Sequence, residues 1–135
     1  MVEELKIKEE LTEDLLNRLG SSDRGERETA AEALAVSTED EDWRPNELIR
    51  QGGIETIAGL LRDGNVHIVA SALSIIIAVA SAGEEEALIS AGLIARLGPM
   101  LDHPDPVIRK KVREALWLLE PEVEEAVISK PQNEY

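Results

Sequence analysis

Cysteine and phenylalanine are both absent from the 135 residues, and Trp43, Trp117 and Tyr135 are the whole aromatic complement. Without cysteine the chain has no disulfide, no thiol chemistry and no cysteine-ligated zinc. An intracellular setting is the simplest reading of that absence. Without phenylalanine, the interior must be filled by Leu, Ile, Val and Ala. Such side chains suit helices packed closely on helices. A β-sandwich of this length would carry more aromatic and Thr-rich alternation. Long apolar runs are missing too. Ile75–Ala82 is the longest, whereas a bilayer-spanning helix needs roughly 20 residues. The opening MVEELKIKEE holds no apolar signal core.

Positive charge is scarce. Lys and Arg number 14 against 28 Asp and Glu, for a formal charge of −14. Phosphate backbones are gripped by clustered Lys and Arg, so nucleic acid is not an expected partner. An anionic membrane is disfavoured for the same reason. The field could steer a basic partner, or it could serve only to keep a helical surface soluble.

Catalytic signatures are missing as well. There is no nucleophile elbow and no phosphate loop. His67 and His103 are the only histidines. Their acidic neighbours Asp63, Asp102 and Asp105 show no recognised ligand spacing. The sequence therefore implies no catalytic residue, no metal and no cofactor, and His103 reads as part of a solvated turn.

What is present is repetition, the signature of stacked units. Glu85-Glu86-Ala87-Leu88-Ile89-Ser90 recurs as Glu124-Glu125-Ala126-Val127-Ile128-Ser129, a shift of 39. Gly52 and Gly92, Leu61 and Leu101, and Ile68 and Ile108 each stand 40 apart. Each unit reads as three helices. The first is Asn46–Gln51, then Glu84–Ala91, each followed by glycine as at a helix end. The second is Ile54–Arg62, then Leu93–Leu101. The third and longest is Val66–Ala80, then Val107–Leu119. Ile68, Ala72, Ile75, Ile76 and Val79 match Ile108, Val112, Ala115, Leu116 and Leu119 at the spacing of a buried helix face. The expected divisions are a degenerate unit and acidic loop at 1–44, repeats at 46–80 and 84–119, a closing helix at 121–129 and a tail at 130–135. In the first of these, Leu11, Leu15, Leu16 and Leu19 make one amphipathic helix. Arg27–Val36 makes a second, with Ala30, Ala33 and Leu34 inward.

Leu48-Ile49-Arg50-Gln51-Gly52-Gly53-Ile54, followed by Leu60-Leu61-Arg62-Asp63-Gly64-Asn65, resembles an armadillo repeat. Ala91-Gly92-Leu93 through Leu101 and His103-Pro104-Asp105 resembles the next one. HEAT repeats are the near neighbour. The resemblance implies an all-α, right-handed solenoid whose third helices line a concave groove for peptides or partner helices. Importin-like members carry Trp and Asn at two positions of the third helix. Here those positions hold Ser74 and Glu114, then Ala78 and Leu118, so capture by an asparagine ladder is not expected.

The expected function is protein binding in that groove, without catalysis. The face beside the core stripe holds Ser71, Ser74, Ile77 and Ala78. A 40-residue offset carries the strip on to Lys110, Lys111, Glu114 and Trp117. A helix or peptide with an apolar stripe and some acidic residues would suit it. Ile77 and Trp117 could equally pack against neighbouring helices. Arg109, Lys110, Lys111 and Arg113 could be a solvated face or a landing point for an acidic segment such as the Ser37–Arg44 loop. Trp43 could be a helix-entry staple or a binding residue. Self-association through the open ends of the stack is another function the pattern allows, and the resemblance to armadillo proteins implies a further one, regulation of a chaperone. The chain ends one helix into a unit, as a fragment of a longer array would. An engineered repeat protein is a further alternative, although the units differ more than a consensus design would.

Overall fold

A computed structural model describes the backbone of residues 2–120 and the side chains of residues 10–120. The expected closing helix at 121–129 and tail at 130–135 lie outside the described residues. The architecture follows from three helix starts. Asp23 accepts a hydrogen bond from the Gly25 amide, while Asn65 and Asp105 each accept from the amides two and three residues on. These side chains satisfy N–H groups that the first helical turn leaves unpaired. Two residues before each cap, a side chain accepts the cap's own N–H at 3.0 Å: Ser21 Oγ, Asp63 Oδ1 and His103 Nδ1. Four residues after the cap, Arg27 and Arg109 reach back to the carbonyls of Ser21 and His103, at 3.0 and 2.7 Å. Ser, Asp and His share no letter, but they perform one task in three equivalent turns.

The helices that follow these turns are α2 (Arg24–Ser37), α5 (Val66–Ser81) and α8 (Pro106–Leu119). Each closes a layer. The first layer pairs α2 with α1 (Val2–Leu19). The second adds α3 (Asn46–Arg50) and α4 (Gly53–Leu60) to α5, and the third adds α6 (Glu85–Ser90) and α7 (Leu93–Leu97) to α8. Among the described residues there is no strand, and no helix is long and apolar enough to cross a membrane. Gly52 and Gly92 make the bend between the first and second helices of their layers, at φ of 74° and 78°. Side chains other than glycine rarely adopt that left-handed backbone. One expected helix is cut short. Leu93–Leu101 is α-helical only to Leu97 and continues as a 3₁₀ turn over Gly98–Asp102. Pro99 has no N–H and its ring crowds the carbonyl four residues back, so an α-helix cannot run through it.

α5 packs along α2 on one side and α8 on the other. Its burial is accordingly wider than one stripe. Ile68, Ala72, Ile75, Ile76 and Val79 are buried as their spacing predicts, and so are Val69, Leu73 and Ala80. The matching positions of α8, Ile108, Val112, Ala115, Leu116 and Leu119, are also buried. In α2 the inward residues are Ala30, Ala31 and Leu34, whereas Ala33 is exposed. The expectation for Ala33 fails because it stands ten residues after its cap, level with Ile75 and Ala115. Those two are covered by the layer before them, and no described layer precedes α2.

Candidate protein-binding cleft

α2, α5 and α8 leave a cleft of about 300 Å³ between them. Its first wall is α2 and the residues just after it: Glu32, Ala35, Val36, Thr38 and Glu39. Ser74, Ile77 and Ala78 of α5 form the middle, and Lys111 and Glu114 of α8 the far wall. Counted from the caps, Glu32, Ser74 and Glu114 are one position repeated three times, nine residues in. Ala35 and Ile77 share the next level, and Val36 and Ala78 the one after. The cleft is thus a product of the stacking register.

Five of the eight residues singled out in the sequence line this cleft: Ser74, Ile77, Ala78, Lys111 and Glu114. Ser71 lines a neighbouring depression with Ala70, His67, Glu28 and Glu32. Lys110 and Trp117 line neither. Both are exposed, Trp117 to 51%. Trp43, by contrast, is half-buried and packs on the core ahead of α3. The contribution of α2 is not legible in a strict 40-residue period, because the Ser37–Arg44 loop adds two residues between the first two caps. Asp23, read as the counterpart of Asn65 and Asp105, is the signal that restores it.

Polarity is also changed by α2. Ser71, Ser74, Ile77 and Ala78 alone would make a small apolar groove. Glu32, Glu39 and Glu114 place three carboxylates on the cleft wall against one ammonium, that of Lys111. Lys111 Nζ donates to Ser74 Oγ at 2.9 Å, joining α8 to α5 across the cleft. The floor stays apolar, with Ile77 half-buried against the core. Among the described residues, no group of three or more His, Asp or Glu is placed to hold a metal ion.

The layers are also tied at their corners. Arg27 Nε donates to Asp63 at 3.0 Å, an ion pair between α2 and the turn before α5. Both side chains are largely shielded from water, at 22% and 11% exposure. Asn65 Nδ2 donates to Glu28 Oε1 at 3.0 Å beside it. The first two layers are therefore held in register by polar contacts as well as by the apolar core.

Solved repeat structures share this arrangement of stacked helices. A designed armadillo repeat protein superimposes with a TM-score of 0.71 at 22% identity, over 78% of this chain and 45% of its own. The fold is armadillo-like. An engineered protein gives a TM-score of 0.74 at 24% identity, over 82% of this chain and 46% of its own. A structure from work on a phosphorylation switch in the interaction between cadherin and beta-catenin gives 0.73 at 20% identity, over 90% and 23%. The armadillo-like chain thus spans about half or less of the length of these structures. The sequence matches no family model and no curated protein.

Proposed function

We propose that the armadillo-like chain is a protein-binding module that takes a short segment of a partner into the cleft between α2, α5 and α8. The observation that carries this reading is the convergence of one register position from three helices on one cleft, with an apolar floor and acidic walls. A segment presenting an apolar side chain to Ile77, Ala78 and Ala35 fits the floor. Lys or Arg on either side of it complements Glu32, Glu39 and Glu114. This reverses the acidic partner that the α5 and α8 residues alone would favour. Ser71, Ser74, Ile77, Ala78, Lys111 and Glu114 form the proposed contact set, with Lys110 and Trp117 at its edge. The structural likeness to a protein studied for the interaction between cadherin and beta-catenin supports protein binding in kind. We assign the chain no catalytic role and place its work inside the cell, where a chain without cysteine is at no disadvantage.

Selection of a random peptide library on the full chain tests the proposal. Enriched peptides should combine an apolar residue with Lys or Arg. Ser74→Arg, which fills the cleft, should weaken their binding by about tenfold or more, the equivalent of about 1.4 kcal/mol. Trp117→Ala should change it little. Undiminished binding by folded Ser74→Arg and Ala78→Arg proteins would remove the cleft as the binding surface.

A further inference from the structure

The burial pattern of α2, α5 and α8 shows which side of each layer faces its neighbours. Eight residues after the cap stand Ala31, Leu73 and Arg113. Ala31 and Leu73 are fully buried, and Arg113 is exposed. This is the side covered by the following layer. The Arg27–Asp63 pair, reaching from four residues after the first cap into the next layer, marks the same side. Three residues after the cap stand Glu26, Ile68 and Ile108, and ten after it stand Ala33, Ile75 and Ala115. Here the order is inverted. Glu26 and Ala33 are exposed, and the other four are buried. This is the side covered by the preceding layer.

The boundary between α5 and α8 is closed by apolar side chains, Val69 and Leu73 on one side and Ile108 and Ala115 on the other. The boundary between α2 and α5 has Ala31 and the shielded Arg27–Asp63 pair on one side and Ile68 and Ile75 on the other. At the two outer faces of the described layers one member of each set is replaced by charge, and the charges are opposite. The α8 face presents Arg113. The α2 face presents Glu26 beside the small Ala33. The wider surroundings agree in sign. α8 carries Arg109, Lys110, Lys111 and Arg113 against Glu114 alone. The first layer exposes Glu10, Glu13, Asp14 and Glu26 against Arg18, which pairs with Asp14, and Arg24. Apolar surface accompanies the charge on α8, where Trp117, one turn beyond Arg113, is 51% exposed, and the first layer leaves Leu11 of α1 55% exposed.

We propose that the occupant of these faces is a second copy of this chain, docked head to tail, with Arg113 of one copy against Glu26 of the next. The stacking register inside the molecule supplies the geometry, and the charge exchange supplies selectivity for this pairing over face-to-face pairing of like ends. Arg113 opposite Arg113, or Glu26 opposite Glu26, would repel. Such a contact is heterologous, so it does not close on itself as a two-fold dimer does. The inference does not depend on the cleft, which leaves Arg113 and Glu26 unused.

Sedimentation equilibrium of the full chain tests it. The mean mass should climb with concentration past that of a dimer, and added salt should reverse the climb. Arg113→Glu and Glu26→Arg should each weaken association about tenfold or more, since attraction becomes repulsion. Circular dichroism would verify that each stays folded. An equimolar mixture of the two variants should associate again. In an alternating stack, every junction between unlike copies sets opposite charges face to face, one junction in the original order and the next with the signs exchanged. A single-chain mass at every concentration, an association unaltered by both substitutions, or no recovery on mixing would each overturn the proposal.

Discussion

α5 and α8 are the same helix in two settings. Each begins at a capping Asn or Asp, and each buries the residues three, seven, ten, eleven and fourteen places on. They part company on the side facing the following layer. Val69, Leu73 and Ala80 are buried in α5, where Arg109, Arg113 and Glu120 stand at the matching places of the third layer. Apart from His67, every residue of α5 is apolar or serine, which lets the helix sit between two layers. α8 keeps one apolar face and turns charge outward. Position in the stack, rather than helix propensity, decides what each site tolerates.

Exchanging residues between the two settings breaks the comparison most sharply. Leu73→Arg puts an uncompensated charge in the covered boundary and should destabilise by about 3–5 kcal/mol or prevent folding. The reciprocal Arg113→Leu should stay within about 0.5 kcal/mol, as surface changes usually do. Urea unfolding at low protein concentration reads both. Equal effects would mean that α5 and α8 occupy equivalent environments. Next in size, Ile76→Ala should destabilise by about 2–5 kcal/mol through lost burial and the cavity it leaves. Leu116→Ala, at the same register in α8 but 7% exposed, should fall toward the lower end of that range.

Smaller effects separate the corners. Arg27→Ala removes charge-assisted bonds to Asp63 and Ser21 from a shielded site and should cost about 1.5–3 kcal/mol. Arg109→Ala removes only bonds to the carbonyls of its own turn and should cost less in the same unfolding assay. Glu47 gives the smallest signal. Hydrogen bonds from Arg50 and then Gln51 hold its carboxyl below the ordinary range. A depressed folded pKa contributes stability that is present above the unfolded value and is lost as pH falls through the folded one. Glu47→Gln should therefore lower stability slightly at neutral pH and leave it unchanged in strong acid, so that urea midpoints fall a little less on acidification.

The sequence makes the second and third layers legible because two signals coincide there. Asn65 and Asp105 mark the starts of α5 and α8, and the apolar stripe behind each follows one spacing. Ser74, Ile77, Ala78, Lys111 and Glu114 could be placed on one strip from that spacing alone. The first layer is harder to read. Its cap is two residues out of period, and its letters depart from the others at the positions that matter: Glu26 for Ile68, Ala33 for Ile75, Arg27 for Val69. Without α2 the acidic wall of the cleft, Glu32 and Glu39, stays hidden, and the sign of the favoured partner comes out reversed. Trp117 stands apart from the cleft for another reason. It shares a register position with Ile77, but no further described helix stands beside α8 to make that position part of a cleft. Pro99 is a local signal that the repeat hides, since a proline beyond the first turn breaks or kinks an α-helix whatever the repeat period.

Hydrogen–deuterium exchange of the full chain, with and without a peptide selected from the random library, tests the central claim most directly. One peptide should slow exchange in three separated stretches together, around residues 32–39, 74–78 and 111–114. Protection confined to α3, α4, α6 and α7, or to the Lys110–Trp117 edge of α8 alone, would contradict it.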